Sequence, residues 1–134
     1  VVNGAGPAGR SRLPLEGIRM GGKTGTAQVR RLSGMARGGI NVPWKYRDHG
    51  LFIGFAPVDL PLYAGAVVIE HGMSGSGAAA PVASDMMTYR FDREKALAEL
   101  VTLEEGWGGD IATRMTAQAR EFAARQAAPA APPE

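Results

Sequence analysis

The sequence predicts an α+β fold in which an antiparallel sheet is covered by a C-terminal helix. Three observations carry that reading. Two apolar runs, Leu51–Pro57 and Leu62–Glu70, are joined by Asp59-Leu60-Pro61, which has the chemistry of a turn. Upstream, Lys23–Arg30 alternates small polar and apolar residues at the period of a strand. From Pro81 onward the spacing becomes helical, with proline in the first turn, where its missing N–H costs nothing.

Residues 1–14 are rich in Gly, Pro and Arg without periodicity and read as a loop. Leu15–Met20 alternates loosely, as a short strand or the lead-in to one. Gly21 and Gly22 are expected to let neighbouring chains approach closely and not to touch a ligand. Residues 31–47 form a long polar loop of the kind that is often functional or mobile. Its Trp44 and Tyr46 suit a cleft lining or a partner contact as well as packing of the loop itself. His71–Gly77 reads as a Gly/Ser loop.

In the first helix Val82, Met86 and Tyr89 fall on one apolar stripe, with Ala83 and Met87 beside them, so Met86 and Met87 are assigned to the core. Asp92 is expected to cap a second helix that buries Leu97, Leu100 and Val101 and stops at Gly106. Asp110 caps a third, on which Ile111, Met115, Ala119 and Phe122 share a face and Glu121 and Arg125 form an i,i+4 pair. The Ala/Pro tail, residues 127–134, is expected to be disordered. The expected division is residues 1–91, a helical extension over 92–126, and that tail.

A net charge of +2 hides an asymmetry. Residues 1–50 hold nine Lys/Arg against Glu16 and Asp48, whereas residues 51–134 hold six against eleven acids. A basic half attracts anions, but only Trp44 and Tyr46 interleave with it, too few for a stacking platform, so nucleic acid is not expected as a partner. With no cysteine there is no disulfide or thiolate chemistry. The apolar run Tyr63–Ile69 is far short of the roughly 20 residues a membrane span requires.

Lys23-Thr24-Gly25-Thr26 is the most informative stretch. His49 beside Asp48 suggests a dyad, but adjacent residues on a strand point to opposite faces. His49 and His71 are therefore read as structural, and no metal is expected. The Gly/Ser loop is followed by no G-K-[ST], so it is not read as a phosphate cradle. No serine of the chain begins an S-x-x-K: Ser11, Ser33, Ser74, Ser76 and Ser84 are followed at +3 by Pro14, Ala36, Gly77, Ala79 and Met87. No asparagine lies two residues after any serine.

Taken together, Gly22–Gln28, Asp48-His49, Phe52–Pro57, Ala66–His71 and Gly75–Ala83 resemble the C-terminal part of the transpeptidase domain of penicillin-binding proteins. The resemblance covers roughly residues 1–91 and implies a fragment of the fold shared with serine β-lactamases. Among subfamilies it is most similar to penicillin-binding protein 2, the elongation type, on Asp48-His49 and on Glu-His-Gly-x-Ser-Gly-Ser. The septal type, penicillin-binding protein 3, shares K-T-G-T-A-Q and F-x-G-F-A-P but tends to carry Tyr-Gly-Gly in that loop. The alternatives are this septal type, an inactive binding or scaffold module that kept the β core, and a β-lactamase remnant.

The resemblance implies a D,D-transpeptidase that cross-links peptidoglycan stem peptides through an acyl-serine. The serine and its lysine belong to the S-x-x-K that this chain lacks, and the proton-shuttle partner to the absent S-x-N, so the chain alone is expected to be inactive. Lys23 lends positive charge to the cleft and has a catalytic role. The Thr24 and Thr26 hydroxyls bind the substrate carboxylate. Gly25 lets backbone and ligand approach, and the Thr26 N–H joins the oxyanion hole. Implied partners are the stem peptide, β-lactams, the membrane through an upstream N-terminal anchor, and a glycosyltransferase. The implied location is the periplasmic face of the inner membrane, with no cofactor. Three strands without their neighbours would expose apolar faces and an unpaired edge, which predicts poor solubility or association.

Overall fold

The computed structural model describes residues 2, 6, 8–29 and 42–127. The chain divides into two units, residues 1–93 and 94–134. Most of the tail and residues 31–41 of the long loop lie outside the described residues.

The first unit is built on a three-stranded antiparallel sheet of β1 (Gly21–Ala27), β2 (His49–Ala56) and β3 (Tyr63–Ile69), in that spatial order. β2 is central. Lys23 pairs with Ile53 and Thr24 with Phe52, while Phe52 pairs with Val67 on the other side. The β2–β3 hairpin forms where the two apolar runs are interrupted: Leu62 N–H bonds back to Ala56 O at 3.1 Å, and Arg19 pairs with Asp59 at 2.8 Å. β1 begins at Gly21, two residues earlier than the alternation suggests, and ends at Ala27. Leu15–Met20 is not a strand. Ile18 and Met20 pack into the core there, and Arg19 O accepts the Val58 N–H at 2.9 Å.

Pleating gives the sheet two unlike faces. Phe52, Ala56 and Val67 point to a face covered by α1 (Ala80–Phe91) and by the N-terminal segment. That segment, aperiodic in sequence, contributes Val2, Ala8, Leu13 and Met20 to the core. The other face carries Leu51, Ile53 and Phe55 of β2 with Ala64, Ala66 and Val68 of β3. It stays open: Ile53 and Val68 are 60% and 58% exposed.

α1 turns a different side to the sheet from the one its apolar spacing suggests. Ala80, Ala83, Ser84, Met87 and Thr88 are buried, whereas Val82, Met86 and Tyr89 lie on the opposite, exposed side, Met86 at 56%. Small residues let the helix lie close to Phe52 and Val67, and that close packing outweighs burial of the larger stripe. The buried Thr88 hydroxyl is satisfied by donating to Ser84 O at 2.8 Å. At the far end of α1, Phe91 meets Tyr63 edge to face at 5.5 Å, and Arg90 donates to the Tyr63 hydroxyl.

The segment leading into α1 is only partly a loop. Gly75–Ala79 forms a wide π-type turn that runs directly into the helix, and Ser74 Oγ accepts the Gly77 N–H at 2.9 Å. This turn lies on the sheet backbone. A Cβ on Gly75 would sit 2.4 Å from Leu51 O and 2.5 Å from Gly25 O, and one on Gly50 would sit 2.5 Å from Ser74 O. Only residues without a Cβ permit that contact.

In the second unit, α2 (Arg93–Gly106) and α3 (Ile111–Ala127) bury no residue. Leu97, Leu100 and Val101, expected inside, are all exposed. Gly108 and Gly109 take positive φ after α2 ends. Asp110 caps α3, accepting the Thr113 N–H at 2.8 Å, and Glu121 meets Arg125 at 3.7 Å. Among the described residues no helix is long and apolar enough to cross a membrane.

Two outcomes are expected. Gly75→Ala should destabilise the first unit by roughly 1–3 kcal/mol in urea denaturation through overpacking. Gly25→Ala, whose Cβ would meet only Leu51 Cβ at 3.5 Å, should stay within about 0.5 kcal/mol of the parent. For α3, the Thr113 N–H and then its hydroxyl hold the Asp110 carboxyl below its ordinary 3.8. A depressed carboxylate stabilises above its unfolded pKa, and that contribution is lost as pH falls through the folded value. Helix signal in circular dichroism should therefore be flat above pH 5 and decline below about pH 4, and Asp110→Ala should remove that step.

Candidate functional site

β1 is an edge strand, and its outer side pairs with no strand among the described residues. Such an edge offers backbone donors and acceptors to an extended peptide. Lys23, Gly25 and Thr26 are exposed and Thr24 is half-buried. The register puts Lys23 and Gly25 on the open face with Ile53 and Leu51, and Thr24 and Thr26 on the helix-covered face with Phe52 and Gly50. One strand thus brings the four residues together at the rim of the sheet, the ammonium leaning to one side and the hydroxyls to the other. Lys23 Nζ donates to Thr24 O at 2.7 Å, so the charge lies along the strand.

Gly21 and Gly22 are places of close approach. A Cβ on Gly21 would lie 2.7 Å from the Phe55 ring, and one on Gly22 would lie 2.2 Å from the Phe52 ring. Gly22 and Lys23 also border an open trough of about 660 Å³, with Ile53, Gly54, Phe55, Ala64 and Gly65. The sequence reading missed this trough. Its signal was the small residues of β3, Ala64-Gly65-Ala66, opposite bulky Ile53 and Phe55.

The strand is supported from behind. Gly75 sits against Gly25 N and O on the helix-covered face. The loop that carries Gly75 is held by a knot of side chains. His71 N–H donates to His49 Nδ1 at 2.9 Å, and His71 Nδ1 lies 3.0 Å from Arg47 O. His49 therefore carries its proton on Nε2 and His71 on Nδ1. Trp44 rests on His71, ring centres 4.0 Å apart, and remains 64% exposed. Tyr46 lies in the same short 3-10 turn and is exposed. Asp48 faces away from His49: its Oδ1 accepts the Val29 N–H at 3.2 Å, and its carbonyl accepts the Met73 N–H at 2.8 Å. His71 and Met73 adopt positive φ, 57° and 62°, an uncommon conformation for residues with a Cβ.

Asp48 and His49 thus serve the backbone and form no dyad. Ser74 and Ser76 engage each other at 3.2 Å. Among the described residues no group of three or more His, Cys, Asp or Glu side chains could hold a metal.

Residues 1–88 match the penicillin binding protein transpeptidase domain. The chain belongs to that family. Over 79 residues it is 43% identical to the peptidoglycan D,D-transpeptidase MrdA of Acinetobacter baumannii, an alignment covering 58% of this chain and 11% of the relative. Over 90 residues it is 36% identical to the peptidoglycan D,D-transpeptidase MrdA of Haemophilus influenzae, covering 66% of this chain and 14% of the relative. The chain therefore spans about a tenth to a seventh of the curated relatives it matches. No solved structure matches it.

Removing the His49 acceptor should loosen the loop behind Gly25. His49→Leu is expected to cost roughly 1–3 kcal/mol, the penalty of an orphaned donor, and to speed hydrogen exchange at the His71 amide. An unchanged exchange rate at His71 would show that the loop holds without the knot.

Proposed function

We propose that this chain is the C-terminal segment of a penicillin-binding D,D-transpeptidase of the elongation type, and that β1 is the substrate-binding wall of its active site. One observation carries the reading: Lys23-Thr24-Gly25-Thr26 lies on an exposed edge strand, in a chain that matches the transpeptidase domain over residues 1–88. The similarity to two MrdA enzymes supports the elongation subtype.

In this reading the C-terminal carboxylate of a stem peptide lies beside β1. The Thr24 and Thr26 hydroxyls donate to the carboxylate, and Lys23 supplies the countercharge. A serine outside this chain attacks the carbonyl carbon between the two terminal D-alanines. The carbonyl electron pair moves onto oxygen, where the Thr26 N–H stabilises it. Collapse expels D-alanine, whose nitrogen takes up the proton given up by serine, and leaves an acyl-serine. An amine of a neighbouring stem peptide then displaces the serine and forms the cross-link. β-Lactams acylate the same serine by opening their ring. Gly25 adds no side chain between strand and peptide, and its packing would tolerate one, since the nearest contact of a Cβ would be 3.5 Å. Ligand approach is then the demand on that position.

Residues 1–91 form the transpeptidase portion, 92–126 a helical extension and 127–134 a tail. The complete enzyme sits at the periplasmic face of the inner membrane through an N-terminal anchor and works beside a glycosyltransferase.

The test is a graft. Residues 1–91 replace the matching segment of the Acinetobacter relative, and a fluorescent penicillin reads acylation. The graft should label, whereas the unfused 134-residue chain should not. In the graft, Lys23→Ala should lower the acylation rate about 10²–10³-fold, the scale of losing one preorganised electrostatic contact, and Gly25→Val should lower it by setting a side chain where the peptide would lie. Labelling of the unfused chain would overturn the placement of the nucleophile. Full acylation in the Lys23→Ala graft would remove β1 from the site.

A further inference from the structure

The second unit carries apolar surface that its own two helices leave exposed. On α2, Leu97, Leu100 and Val101 share one side at +3 and +4 spacing, and on α3, Ile111, Met115 and Phe122 share another. All six are exposed, the α3 three at 63%, 63% and 64%. The two helices make no substantial packing contact with each other. Open apolar stripes of this kind mark interaction surfaces. They also lie beyond residue 88, where the match to the transpeptidase domain ends.

The charges indicate what covers them. α2 sets Arg93 and Lys95 against Glu94, Glu99, Glu104 and Glu105, a net charge of −2. α3 sets Arg114, Arg120 and Arg125 against Glu121, a net charge of +2. The ion pairs within these helices, Lys95–Glu99 at 3.6 Å and Glu121–Arg125 at 3.7 Å, stay inside one helix each. Among the described residues Glu94, Glu104, Glu105 and Arg120 have no ion pair. An anionic lipid surface would suit α3 and repel α2, and a basic partner would do the reverse. A second copy of the chain presents both signs at once.

We infer that the α2–α3 segment is a dimerisation surface: α2 of one copy lies along α3 of the other, and a two-fold axis repeats the contact. At 1.5 Å per residue the apolar side of α2, Leu97 to Val101, spans about 6 Å and that of α3, Ile111 to Phe122, about 17 Å, so the contact centres on one turn of α2. The apolar residues of α2 and α3 then meet, with the net negative helix of one copy beside the net positive helix of the other. This surface is independent of the catalytic reading of β1.

Charge reversal tests it on the full 134-residue chain by sedimentation equilibrium. One variant carries Glu94→Lys, Glu104→Lys and Glu105→Lys. The other carries Arg114→Glu, Arg120→Glu and Arg125→Glu. The parent chain should dimerise. Each variant alone should bind itself at least tenfold more weakly, because both of its α2–α3 contacts then join like charges. An equal mixture should recover the parent affinity, since every contact in the mixed pair joins opposite charges. Circular dichroism on each variant separates lost association from melted helices. The chain lacks cysteine, so Leu100→Cys and Met115→Cys can be introduced singly and oxidised together. A disulfide between copies supports the arrangement. A parent chain that stays monomeric, a dimer indifferent to both reversals, or a mixture without recovery overturns it. So does monomeric binding to phosphatidylglycerol vesicles, or a chain carrying both cysteines that closes only on itself.

Discussion

The position of the K-T-G-T strand depends on a backbone-to-backbone contact. β1 has β2 as its lateral neighbour, and an edge strand held on one side is free to twist. Gly75 restrains it from behind, against Gly25 N and O and Leu51 O. Gly50 makes the matching allowance beneath Ser74 O. Side chains elsewhere decide whether the contact persists. The His49–His71–Arg47 bonds and the Met73 N–H to Asp48 O bond fix the loop that delivers Gly75. Residues whose pairing looks catalytic in sequence thus act on the site through the backbone. This part-buried polar network rigidifies the loop it ties down.

The two faces of the sheet differ in how completely they are covered. On the helix side, Phe52, Met20 and Val2 are almost wholly buried, and Ala80 and Ala83 bring α1 close. On the open side, Ile53, Phe55 and Val68 meet no covering element among the described residues. Antiparallel sheets with one wet face alternate apolar and polar residues. Here both faces of β2 are apolar, which is the pattern of a strand in the middle of a thicker structure.

Much of this was legible in sequence, and the failures have a common cause. The hairpin was readable because Pro57 and Asp59 interrupt two apolar runs, and the α3 cap because Asp110 directly precedes a helical run with Thr113 in its first turn. β1 was readable from alternation, although glycines hid its first two residues. The buried face of α1 was not readable. Spacing identifies two candidate stripes on that helix, one bulky and one small, and only the distance to the sheet decides between them. Ala80, Ala83 and Ser84 win because Phe52 and Val67 already fill the gap. The N-terminal contribution to the core was equally hidden, since Val2, Ala8 and Leu13 are buried by chain path and not by periodicity. Within the site, the four residues of the motif were visible as a string. The prop behind Gly25 was not, because it joins residues about fifty apart through atoms common to every amino acid.

The second unit shows the same distinction from the opposite side. α1 owes its place to burial, whereas α3 buries nothing and still forms. Its seventeen residues are rich in Ala, Arg and Gln, strong helix formers. It begins with a side-chain cap and carries an i,i+4 ion pair, so local terms suffice at a length where isolated helices are marginal. α2 has fewer such supports and more large apolar residues. Local propensity explains why these helices exist but not why Val101, Ile111 and Phe122 are apolar, since Ala, Gln or Lys at those positions would make better exposed helices. On α3 the excess is confined to one side, and the two helices carry opposite net charge. Propensity accounts for neither feature, and both are what a contact between unlike helices requires.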